Sequence, residues 1–138
     1  MAKPSYFLDP DLQFHFKNTI GWGRIIPLYE ELSESFTAEA ALGMYSDTLK
    51  ELGALAANEL EETARASDET GSQLENGVVT YPEGVSRALE AYKRAGALAV
   101  TVGKKYDGMG MPGVIHMLNL EMMAKADPAF MTVYAFYA

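Results

Sequence analysis

Apolar residues along this chain recur at steps of three and four over most of its length, and strict alternation is rare. After Thr37, the residues Leu42, Tyr45, Leu49, Leu52, Ala56 and Leu60 fall on one stripe, while Glu51, Asn58, Glu61 and Glu62 face elsewhere. The spacing predicts a long amphipathic helix capped by Thr37, with Glu39 well placed in its first turn, running to about Ala66. Upstream, Asp9-Pro10-Asp11 predicts a short helix to about Asn18, closed by Gly21-Trp22-Gly23, and a second short helix covers Pro27 to Leu32. Downstream, Asn76-Gly77 within LENGVV predicts a small two-strand turn. Pro82 opens a helix carrying Val85, Leu89 and Tyr92, with Lys93 and Arg94 in its last turn and Gly96 past its end. ALAVTV then reads as an extended step, Pro112 opens a helix to about Lys125, and Asp127-Pro128 starts the last one. The prediction is an all-α bundle, orthogonal or up-down, of about five or six helices with at most one hairpin.

Composition narrows what such a bundle does. The chain has 138 residues, enough for one hydrophobic core, and 49% of them are hydrophobic against 22% charged, which marks a globular protein. Its net charge of −8 repels polyphosphate backbones, so nucleic acid is not an expected partner. There is no cysteine, hence no disulfide framework and no thiolate metal site. MAKPSYFLDP has no leader-like apolar core, and no apolar run approaches the ~20 residues needed to span a bilayer, so the expected location is the cytoplasm.

Gly108-Met109-Gly110-Met111-Pro112-Gly113 spells a dinucleotide fingerprint, but its neighbours are helical and no βαβ unit surrounds it; a tight turn into a helix is the better reading. His15 and His116 belong to no helical ligand motif, so no metal site is expected, and His116, among Val114, Ile115, Met117 and Leu118, reads as a hydrogen-bonded core or interface residue. Glu59, Glu61 and Glu62 read as a solvated helix face. Lys104 and Lys105 suit an anion such as a coenzyme A phosphate, although surface solubility explains them as well. If Gly108 holds a left-handed backbone, valine there should cost on the order of 1 kcal/mol.

Six of the eight methionines, Met109, Met111, Met117, Met122, Met123 and Met131, fall in the last thirty residues. Flexible thioethers fill irregular core space and also adapt to alkyl ligands. The uncharged end AFMTVYAFYA predicts burial on every side of its helix, and so an interface through Phe130, Tyr134 and Phe136, either with further domains or with another copy of the chain.

The ordered series from Tyr81 to Asp127 resembles the N-terminal helical domain of the flavin-dependent acyl-CoA dehydrogenases. Tyr106, Gly108 and Gly110 match that family's Y-G-G-x-G motif, with Asp107 replacing its first glycine and Gly103 standing where proline is common. Glu121, Ala124 and Asp127 match the E-h-h-[AS]-x-x-D end of the next helix. The resemblance is best from Leu49 through Tyr134. It implies a division into an N-terminal extension, residues 1–36, like that of the longer bacterial members, and an N-terminal domain, residues 37–138, incomplete at its C-terminus. It also implies that Met131, Thr132 and Ala135 line the floor of a fatty-acyl cavity, and their i, i+1, i+4 spacing shares a helix face.

In the complete enzymes of that family, a glutamate removes the α-proton of an acyl-CoA thioester while a hydride passes to FAD, and an electron-transfer flavoprotein reoxidises the cofactor. The resemblance places the flavin-contacting barrel and the catalytic glutamate outside these 138 residues. No catalytic residue and no retained FAD are therefore expected on the isolated chain. The rival expectation is a free-standing helical interaction module that has kept the fold and lost the enzyme.

Overall fold

The computed structural model describes residues 2–30, 33 and 35–136. Among them the architecture is all-α, with seven α-helices and one two-stranded antiparallel hairpin. The longest helix, α3 (Ala38–Leu55), is central: the N-terminal turn Tyr6–Leu8, α2 (Trp22–Tyr29), α5 (Glu83–Arg94) and α6 (Gly113–Ala126) all pack on it. Thr37 caps it as the sequence predicts, its hydroxyl accepting the Ala40 amide at 3.2 Å. Ala41, Tyr45, Leu49 and Leu52 are buried along its inner stripe.

The predicted run to Ala66 does not stay one α-helix. A π-helical segment, Ala56–Leu60, follows α3, and the chain turns at 61–63 before α4 (Ala64–Thr70). A π-bulge rephases the stripe, and here it brings Ala56, Ala57 and Leu60 all into the core. This break supplies the seventh helix.

Two further expectations are corrected. The first helical stretch ends at Thr19, close to the expected Asn18, but Trp22 and Gly23 are not part of a break: Gly21 is the N-cap of α2, which begins at Trp22 and carries Pro27 in its interior, while the predicted end at Leu32 lies outside the described residues. Trp22 and Ile26, one turn apart, are both buried, and that burial outweighs the glycine and proline signals. ALAVTV is not extended either. Ala97–Ala99 forms a 3-10 turn that buries Ala97 and Val100 three residues apart, which an alternating strand cannot do. The carbonyls of Ala99, Val100 and Val102 then accept the amides of Met109, Met111 and Gly110 at 2.8–2.9 Å, closing the intervening loop on itself.

Local signals elsewhere act as read. Helix α1 (Pro10–Phe14) starts at the Asp9 cap and passes into a π-helical turn, His15–Thr19. Strands β1 (Gln73–Glu75) and β2 (Val78–Thr80) pair Leu74 with Val79 about a turn whose Asn76 and Gly77 both have positive φ. Gly96 holds the left-handed position after α5, and the Asp127 carboxylate accepts the Phe130 amide at 2.9 Å at the start of α7 (Pro128–Ala135).

Aromatic side chains join the elements. Phe7, Phe16, Trp22 and Tyr45 form a chain of ring contacts at 5.1–5.6 Å, which puts residues 7–26 in the same hydrophobic core as α3. Gly53 makes this docking possible: a Cβ there would lie 2.5 Å from Ser5 Oγ and 2.8 Å from the Phe7 amide.

Candidate functional site

Helix α7 carries the residues expected to form an interface and a cavity wall. Its inward stripe is Phe130 and Tyr134, both fully buried, with Tyr92 of α5 in ring contact at 5.4 and 5.5 Å. These two residues are therefore not surface, which corrects the expected interface through Phe130, Tyr134 and Phe136. An uncharged helix can still have a solvent side, and Phe136 alone of the three is exposed, at 87%. Tyr137 lies outside the described residues.

Met131, Thr132 and Ala135 lie off the buried stripe: Met131 is half-buried against the core, and Thr132 and Ala135 are exposed. The Thr132 hydroxyl donates to the Pro128 carbonyl at 3.0 Å. The recess beside α7 is walled instead by Ala129 and Val133, with Ser67, Tyr81, Val85 and Asp127.

Beneath α7 lies a polar cluster. The Tyr134 hydroxyl donates to the Ala97 carbonyl at 2.6 Å and accepts from Asn119 Nδ2 at 3.2 Å, and burial pushes its pKa up to about 12. His116, one turn before Asn119 on α6, stacks on the Tyr134 ring at 5.9 Å. The expectation of a hydrogen-bonded histidine is corrected, since its buried Nδ1 has no partner among the described residues.

Burial holds the His116 pKa below the usual imidazole value, and no charged side chain contributes to that shift. The folded state then binds fewer protons than the unfolded state at mildly acid pH. Stability is complete above the unfolded value of ~6.5, falls as pH drops through it, and levels off below the folded value. Between pH 7 and pH 5 the melting midpoint of the wild type should drop more than that of His116→Leu. Parallel profiles would show that His116 stays neutral or titrates alike in both states.

A second polar site was not legible in the sequence. Glu30, the C-cap of α2, has only 1% of its side chain exposed; Tyr45 donates to Oε1 at 2.8 Å and Lys104 to Oε2 at 2.7 Å. Partner and carboxylate are 74 residues apart, and no local pattern marks a buried acid. Charge-assisted hydrogen bonds of this kind contribute ~1.5–3 kcal/mol. Lys104→Met should thus lower the urea-derived stability by about 2 kcal/mol, since the ammonium is partly solvated, and adding Glu30→Gln should restore part of the loss. Equal stability of Lys104→Met and wild type would contradict a structural pairing.

Lys104 is thereby partly neutralised as an anion ligand, and Lys105 lies over the Tyr106 ring at 4.8 Å. In the turn that follows, the left-handed positions are Asp107 (φ 61) and Gly110 (φ 66), not Gly108. Gly108 is needed for a different reason: a Cβ there would run into the Val102 carbonyl oxygen. Of the remaining motif residues, Glu121 is exposed, Ala124 half-buried and Asp127 buried as the cap of α7. Glu59 pairs with Arg87 at 3.7 Å, and Glu61 accepts from Tyr6 and Lys3, which hold its carboxyl below the usual range.

A recess of about 480 Å³ is lined by Tyr29, Glu30, Phe36, Met44 and Lys104. Its buried Glu30 carboxylate does not fit an FAD pyrophosphate, which carries the same charge. Among the described residues, no group of three or more acidic or histidine side chains is placed to hold a metal ion, and no helix is long and apolar enough to cross a membrane.

The fold is an all-α bundle with one small hairpin, as in an acyl-CoA dehydrogenase N-terminal domain. No family model matches the chain. Over 122 residues, 87% of its length, it is 28% identical to the 3-methylmercaptopropionyl-CoA dehydrogenase of Ruegeria pomeroyi. The chain spans only 19% of that relative's length. This distant likeness hints at the acyl-CoA dehydrogenase family.

Proposed function

We propose that this chain is the N-terminal domain or subunit of an FAD-dependent acyl-CoA dehydrogenase acting in the cytoplasm. The observation that supports it most is the relative matched over 87% of the chain, beside the ordered Tyr106, Gly108, Gly110 and Glu121, Ala124, Asp127 motifs. In this reading the complete enzyme desaturates an acyl-CoA thioester and passes electrons to an electron-transfer flavoprotein. The flavin supplies hydride acceptance, and the catalytic base and flavin site come from outside these residues. The chain contributes packing, through the outer side of α7 with Phe136, and one wall of the acyl cavity, through Met131, Thr132 and Ala135. Tryptophan at Met131 or Ala135 should lower kcat/KM of the complete enzyme for long acyl-CoA substrates more than for short ones. A uniform effect on all chain lengths would remove these residues from the cavity.

A further inference from the structure

Thr63, Ser67 and Thr70 follow one another at helical steps of four and three, so their hydroxyls share one side of the chain entering and forming α4. That side meets the first turn of α5. Contact is close enough that a Cβ on Gly84 would lie 2.6 Å from Thr63 Cβ and 2.7 Å from Ser67 Oγ, which directs the Ser67 hydroxyl at the start of α5. Between them is a recess of about 290 Å³ lined by Thr63, Ser67, Thr70, Glu83, Gly84 and Arg87.

Three features of this recess suit negative charge. Pro82 is the N-cap of the twelve-residue α5 and brings no side-chain acceptor, so the first-turn amides lack a cap and stand at the positive end of the helix dipole. Ser67 is 8% exposed, and its hydroxyl has no partner among the hydrogen bonds of the described residues. Thr63 and Thr70, by contrast, donate to the carbonyls of Glu59 and Ala66. Arg87 is half exposed and pairs loosely with Glu59 at 3.7 Å, which leaves guanidinium donors for a forked contact. Glu83 is exposed, so its opposing charge is screened by water.

We propose that this recess binds a small phosphate-type oxyanion, held by the Gly84 amide, the Ser67 hydroxyl and the Arg87 guanidinium. The chemistry is shared by free phosphate and by a phosphate monoester. Titrating the full chain with inorganic phosphate, and separately with glycerol 3-phosphate, distinguishes the two sources, with amide chemical shifts as the readout and sodium chloride at matched ionic strength as the control. The expected result is a saturable shift centred on Gly84 and Ser67 for at least one probe. Tighter binding of glycerol 3-phosphate than of phosphate assigns a monoester, and the reverse assigns the free ion. Arg87→Gln should weaken the affinity about tenfold, as loss of one charge-assisted contact implies, and Ser67→Ala should weaken it several-fold, both with unchanged melting midpoints. Shifts no larger than those of chloride, or an affinity unchanged in Arg87→Gln, would overturn the assignment.

Discussion

Serine at Phe130 and Tyr134 together should unfold the protein, not make it more soluble. Each ring is fully buried, and the two share the Tyr92 contact that joins α7 to α5. Truncating a buried aromatic costs ~3–5 kcal/mol, and the pair therefore approaches the whole ~5–15 kcal/mol stability of a domain. Tyr134 adds a polar loss, because its hydroxyl serves the Ala97 carbonyl and Asn119. Phe136→Ser is the contrasting variant. Its ring is exposed, so the melting midpoint should barely move while any self-association through this patch declines. Thermal melts of the two variants check this directly, and a folded Phe130→Ser, Tyr134→Ser protein with a near wild-type midpoint would show that α7 is not part of the core.

Gly108→Val should be the most damaging single change in the turn between the 3-10 segment Ala97–Ala99 and α6. The Val102 carbonyl oxygen, which already accepts the Gly110 amide at 2.8 Å, occupies the space a Cβ would need. The obstacle is backbone, so relief requires the loop to open and release its bonds to Ala99, Val100 and Val102. Overpacking costs ~1–3 kcal/mol and sometimes more, and this overlap belongs at the upper end. Gly110→Ala should cost about 1 kcal/mol, since its left-handed φ strains alanine and the nearest obstacle is the flexible Lys104 stem at 2.9 Å. Urea titrations should rank Gly108→Val well below Gly110→Ala in stability. The opposite order would mean that backbone handedness, not close approach, selects glycine here.

Much of the fold was legible because its signals are local. Thr37, Asn76-Gly77, Gly96 and Asp127-Pro128 each satisfy a cap or turn with their own atoms, and each acts as its sequence predicts. The misreadings share a tertiary cause. Trp22 and Ile26 are buried strongly enough to draw Gly23 and Pro27 into a helix, and Ala97 with Val100 turn an apparently extended run inward. The inner and outer sides of α7 were hidden because both are apolar, so composition could not say that Phe130 and Tyr134 face the core while Phe136 faces water. For the candidate site, the family resemblance alone pointed to Met131, Thr132 and Ala135, whose spacing shares a helix face. Glu30 was missed because its partners, Tyr45 and Lys104, come from distant parts of the chain. The recess between α4 and α5 depends likewise on a helix contact permitted by Gly84, although the Thr63, Ser67, Thr70 spacing was readable.

The proposed dehydrogenase role is tested most directly by the visible absorbance of the protein purified from its natural source with whatever it is bound or joined to. A member of an acyl-CoA dehydrogenase should arrive with stoichiometric FAD that bleaches when a suitable acyl-CoA is added. A colourless assembly that neither takes up FAD nor reduces a dye with any acyl-CoA would contradict that role and favour the helical interaction module.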